Sequence, residues 1–160
     1  MRKLALLPAV LAVAAVAVAF RTVPGTQASP AGAWKLVEVT ITNDEGTTTN
    51  QVDQPNLTIF TGGHYASVNV FGDEPRAELP EDPTDEQRLA AWQPFNANAG
   101  TYDMSGSDLT TTVIVAKSPN ATANHRSNTS VVERDGDTLY RTFTNPNNGA
   151  TFKLKYVRVE

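Results

Sequence analysis

Gly62-Gly63 and Asp135-Gly136 each separate a pair of β-favouring runs by only two residues, and Ser105-Gly106-Ser107 separates another pair by three. Glycine, asparagine and aspartate reach the positive-φ conformations that tight hairpin turns require, so this spacing folds each pair of runs back antiparallel. Asn43-Asp44-Glu45-Gly46 supplies a further turn after the first run. Parallel strands need a crossover of a dozen or more residues, and these connections are far too short for one. The runs rich in Val, Ile, Thr, Tyr and Phe predict eight strands at 33–42, 55–61, 64–71, 99–105, 108–116, 129–134, 137–144 and 151–159.

The last run shows which way its strand faces. Phe152, Leu154, Tyr156 and Arg158 share one face, while Lys153 and Lys155 mark the other as outward. No mid-strand proline or row of edge lysines guards a border, and antiparallel strands can also protect their edges by closing. The fold class expected is therefore all-β: an eight-stranded up-and-down antiparallel barrel with one short helix in a long loop. That loop is 72–98. It begins acidic and carries Pro75, Pro80 and Pro83; Thr84 then caps a helix running from Asp85 to Trp92, which Pro94 ends. An excursion of that length suits a lid over the barrel mouth.

The chain begins with Arg2 and Lys3, then an uncharged apolar run over residues 4–20 and small residues suited to cleavage near Ala28. This reads as a signal peptide over 1–28, ahead of one barrel domain over 29–160, and places the protein outside the cytoplasm, secreted or periplasmic. An uncleaved membrane anchor is the alternative reading of the same run. Without Arg2, Lys3 and Arg21, the 13 basic residues fall to 10 against 17 acids, a net charge near −7. That balance repels a phosphate backbone, so nucleic acid is not an expected partner. There is no cysteine, which excludes thiolate chemistry and leaves the fold to be held by its core.

Gly32-Ala33-Trp34, at the head of the first strand, resembles the Gly-x-Trp motif of lipocalins. The resemblance implies that Trp34 closes the barrel floor and packs against an arginine of the last strand, the place Arg158 occupies. A guanidinium over an indole contributes roughly 0.5–2 kcal/mol. Gly32-Ala33-Trp34-Lys35-Leu36-Val37, Thr84-Asp85-Glu86, Ala97-Asn98-Ala99-Gly100-Thr101-Tyr102-Asp103, Ser118-Pro119-Asn120 and Asp135-Gly136-Asp137-Thr138-Leu139 are similar, in the same order, to stretches of the bacterial lipocalin-like domain family. Members often carry histidines after the Gly-Thr-Tyr segment, where this chain has Leu109-Thr110-Thr111-Thr112-Val113. The family implies a cup-shaped fold with a pocket and no particular reaction.

Tyr65, Phe71, Tyr102, Phe143, Phe152 and Tyr156 fall on or beside strands and are the residues expected to line that pocket, unless they simply fill the core. His64 and His125 sit at a strand start and in the polar stretch 117–128. Catalysis by an isomerase or cyclase mechanism requires His64, a tyrosine and a carboxylate to meet in one pocket. No Gly-x-Ser-x-Gly elbow is present, and Asp135 and Asp137 are accounted for by their turn. Asn56, Asn120 and Asn128 each head a glycosylation sequon. The expected function is binding of a small, mostly apolar ligand inside the barrel, with no catalytic residue, metal or cofactor. An enzyme and a ligand-free interaction module are the alternatives.

Overall fold

The computed structural model describes residues 29–159; the leader expected at 1–28 lies outside the described residues. The chain forms β1 (Gly32–Asn43), β2 (Gly46–Gln51), β3 (Asn56–Thr61), β4 (His64–Val70), α1 (Asp85–Trp92), β5 (Phe95–Ser105) and β6 (Asp108–Ala116). It continues through α2 (Pro119–Ala123), β7 (Ser127–Asp135), β8 (Thr138–Thr144) and β9 (Thr151–Arg158). From β3 to β9 each strand pairs antiparallel with the next, and β9 pairs with β1 from Trp34 opposite Arg158 to Thr42 opposite Thr151. β1 and β3 to β9 thus make a closed eight-stranded barrel.

β2 is the strand that the sequence pattern does not announce. Its six residues, GTTTNQ, are all exposed and have no apolar face, so no alternation marks it. It shares one edge of β1 with β3: Gly32–Trp34 pair with β3, and Glu38–Asn43 pair with β2. Between the two the chain steps out of the wall, and the Asn56 side chain takes its place. Its Oδ1 accepts from the Leu36 N–H (2.6 Å), and its Nδ2 donates to the Leu36 carbonyl (3.0 Å) and to the Gln54 carbonyl (3.0 Å). A side-chain amide here copies a backbone peptide and satisfies groups that the detour leaves unpaired. Facing β9, β1 accommodates an extra residue, Val37, as a bulge between Leu36 and Glu38. The sequon at Asn56 therefore has its amide engaged within the wall.

One end of the barrel is packed solid. Trp34, Phe60, Leu109, Val132 and Leu139 are at most 1% exposed, and Leu36 and Tyr156 join them. The Trp34 Nε1–H donates to the Pro30 carbonyl at 2.7 Å. The guanidinium carbon of Arg158 lies 5.3 Å from the indole centre, and that of Arg134 lies 5.5 Å away. Gly32 makes room for the first of these: its φ is +135°, and a Cβ there would stand 2.8 Å from Arg158 Nη2. The spacing of Gly32 and Trp34 thus has a steric cause. Arg134, from the β7–β8 hairpin, is a second cation on the indole, beyond the one that the lipocalin resemblance implies.

The opposite end is looser. α1 opens with a capping box: the Gln87 N–H donates to Thr84 Oγ1 (3.3 Å), and the Thr84 N–H donates to Gln87 Oε1 (2.8 Å). The helix buries none of its residues. Lys117 gathers the carbonyls around the helix end: the ammonium donates to the Trp92 carbonyl, to the Gln93 carbonyl (3.1 Å) and to the Phe95 carbonyl at the start of β5 (2.6 Å), and lies 5.0 Å from the Trp92 ring centre. α2 forms within the stretch expected as polar loop, with Pro119 in its first turn. Among the described residues no helix is long and apolar enough to cross a membrane.

Asn56→Ala is expected to lower stability by roughly 1–3 kcal/mol in a urea titration, since it removes the side-chain partner of three backbone groups. Asn50→Ala, in the exposed β2, is expected to stay within about 0.5 kcal/mol of the wild type. Equal losses from the two would show that Asn56 does not hold the break.

Candidate functional site

Above the packed end, inward positions change character. On β6, buried Leu109 is followed on the same face by Thr111; on β8, buried Leu139 is followed by Arg141; on β4, Tyr65 stands opposite Phe60 of β3. Tyr65, Thr111 and Arg141 are the layer at which the core ends. Beyond them lies a cavity of about 390 Å³, within the range of roughly 300–1,000 Å³ found for small-molecule sites.

Its walls differ. Val113, Phe143 and Leu154 bring apolar surface, whereas Ser67, Asn96, Asn98 and Asn128 bring hydroxyl and amide groups. Ser118 and Ala121, at α2, stand at the rim with exposed Arg126. The lining holds two arginines and no acid. That composition reverses the acidic balance of the full sequence.

Arg141 is held from below. Its Nε–H donates to Ser130 Oγ at 3.2 Å, and its guanidinium carbon lies 5.7 Å from the Phe60 ring centre. No carboxylate of the cavity wall pairs with its Nη groups, and among the described residues no buried polar side-chain atom is left sealed without a partner. Burial pushes the Tyr156 hydroxyl above the usual phenol range, and the neighbouring Arg141 guanidinium opposes that shift without cancelling it. Tyr65 is raised for the same reason, again opposed by Arg141. Both tyrosines keep their protons at neutral pH.

The six aromatic residues singled out in the sequence do not form one lining. Tyr65 and Phe143 face the cavity. Phe152 stacks on Phe143, ring centres 5.3 Å apart and planes 7° from parallel, and supports it without lining the space. Tyr102 meets Phe60 edge-on at 5.3 Å as part of the core, and Tyr156 is buried in the core beside Arg141. Phe71 lies outside the barrel, 53% exposed, near Trp92.

The long excursion also departs from expectation. None of its residues from 72 to 94 lines the cavity. It folds on itself instead, with Pro75, Ala77 and Leu79 of the loop facing Gln87 and Ala90 of α1. Lys117 ties this unit to the end of β6, and it is the α2 segment that borders the cavity rim. His64 is exposed at the β3–β4 turn, with Nδ1 3.2 Å from the Gly62 carbonyl oxygen, and His125 has φ +44° with Nδ1 3.4 Å from the Val113 carbonyl oxygen. Neither lines the cavity, and among the described residues no three His, Asp or Glu side chains gather as metal ligands.

The chain matches no family model and no curated protein. It is similar to the crystal structure of an uncharacterized protein from Bacteroides eggerthii DSM 20697, with 12% identity, 78% of this chain and 97% of that chain covered, and a TM-score of 0.44. That likeness is too slight to carry fold or function across.

Because folding raises the Tyr156 pKa, the stability tied to its neutral form is present below the ordinary phenol value of 10.0 and is lost as pH rises beyond it. Tyr156→Phe is therefore expected to move the midpoint of alkaline unfolding, followed by circular dichroism, to higher pH. Coincident alkaline midpoints in the two proteins would contradict the buried-phenol account.

Proposed function

We propose that this protein binds one small amphipathic molecule inside its barrel and holds it outside the cytoplasm without chemical change. The observation that carries this reading is the cavity of about 390 Å³ between the packed end and the α2 rim. A barrel serving only as a structural module has no need to stop packing at Tyr65, Thr111 and Arg141. The mixed walls favour an amphipathic occupant over the mostly apolar one expected from sequence, because an apolar molecule would leave the amides of Asn96, Asn98 and Asn128 without partners. The apolar run at 4–20 after Arg2 and Lys3 supports export. The Gly32-Ala33-Trp34 likeness to lipocalins agrees with a carrier. An enzymatic reading has less support, since the cavity wall has neither histidine nor carboxylate to move a proton.

Native mass spectrometry of the protein isolated from its own source tests this directly. A single adduct of small-molecule mass is expected, and Leu154→Trp, which places a larger ring in the cavity, is expected to abolish it while leaving the β-type circular dichroism intact. A bare polypeptide mass for the wild-type protein would overturn the reading.

A further inference from the structure

We infer that the ligand of this cavity carries a carboxylate, which docks on Arg141 with the apolar body of the molecule lying toward the rim. This rests on the ligand-binding reading above and adds the chemical class of the ligand. Four observations converge on it.

First, the lining contains two arginines and no acid, although acids outnumber bases in the full sequence. An interior guanidinium without a counter-charge costs free energy, and an entering anion offsets that cost. Second, Arg141 is already positioned. Ser130 Oγ accepts from its Nε–H, the Phe60 face lies beneath it and the Tyr156 hydroxyl stands beside the guanidinium, which leaves the Nη donors not engaged by Tyr156 for an anion. A planar fork of donors fits a carboxylate in bidentate fashion. Third, the surroundings of Arg141 set the direction of the ligand. Phe143 is the next residue on the same face of β8, roughly 7 Å closer to the open end by strand geometry, and Leu154 pairs with Arg141 across β8 and β9. An apolar body extending from a carboxylate on Arg141 therefore runs along Phe143, whose ring Phe152 backs. Fourth, Arg126 stands exposed at the rim of the same cavity and makes no side-chain hydrogen bond among the described residues. Two cations in line, one at the entrance and one at depth, draw an anion inward against the repulsion of the acidic surface.

The test is a matched pair of probes, 4-phenylbutyrate and 4-phenylbutyramide, titrated calorimetrically into the exported protein. They share a skeleton and differ in charge. The carboxylate is expected to bind about tenfold more tightly than the amide, or better, as charge-assisted hydrogen bonds do relative to neutral ones. Arg141→Met is expected to erase that preference and leave the amide affinity within about threefold of wild type; this variant does not orphan Ser130, because its Oγ still donates to the Leu109 carbonyl. Arg126→Gln, which removes the entrance cation only, is expected to slow carboxylate association and to lower the preference by less than Arg141→Met does. Equal binding of the two probes to wild type would overturn the carboxylate inference while ligand binding stands. Binding of neither would overturn both. A preference abolished by Arg126→Gln and kept by Arg141→Met would also overturn the assignment to Arg141. The wild-type comparison decides even if Arg141→Met fails to fold.

Discussion

The first and last strands close the barrel, and the remaining structure depends on that closure. β1 and β9 pair at eight positions, with the Val37 bulge set between Leu36 and Glu38. No disulfide assists, since the chain has no cysteine. Bringing together segments more than a hundred residues apart loses chain entropy before any contact compensates. The compensation is concentrated where the two strands begin and end: Trp34 sits opposite Arg158, buried, bonded to the Pro30 carbonyl and covered by two guanidinium groups. Gly32 keeps the space that one of those groups needs. The open end can remain hollow because the other end is so fully packed.

Much of this architecture was legible in the sequence because it follows from period two and from turn chemistry. Gly62-Gly63 does join β3 to β4, the turn between β7 and β8 falls one residue later than expected, at Gly136-Asp137, and Thr84 does open a capped helix. What stayed hidden has a common physical cause. β2 is polar on both faces, so nothing distinguishes Thr47, Thr48 and Thr49 from loop. β5 begins at Phe95 and not at 99, because Asn96 and Asn98 turn inward while Ala97 and Ala99 turn outward. Across β3 and β4 the same inversion holds: Leu57 and Val68 face each other on the outside at 40% and 43% exposure, with Thr58 and Ser67 hydrogen-bonded inside. Alternation reveals two faces but does not say which is the interior. The aromatic residues therefore pointed only partly to the cavity, whose wall owes as much to asparagine, serine and threonine.

This division along the barrel axis separates stability from recognition. The end holding Trp34, Phe60, Leu109 and Leu139 is dry and close-packed and supplies the hydrophobic driving force. The other end places amides and guanidinium groups where a core would place leucine and valine, which weakens packing and creates directional contacts. Arg141 stands at the boundary. Its stem and Nε belong to the packed end through Ser130 and Phe60, while its remaining donors face the cavity. The sheet fixes its position without any loop having to order around it.

Lys117 carries a different consequence. α1 buries none of its residues, the acidic, proline-bearing segment before it lies at the surface, and a single ammonium gathers the carbonyls at the helix end. A unit with so little burial is expected to open at lower free energy than the strands beside it. Neutralising that amine, as acetylation does, removes the donor shared by these carbonyls and leaves the excursion held by Arg76 over the Phe95 ring, by Trp92 against Phe95 and by the Phe71 N–H to the Pro94 carbonyl.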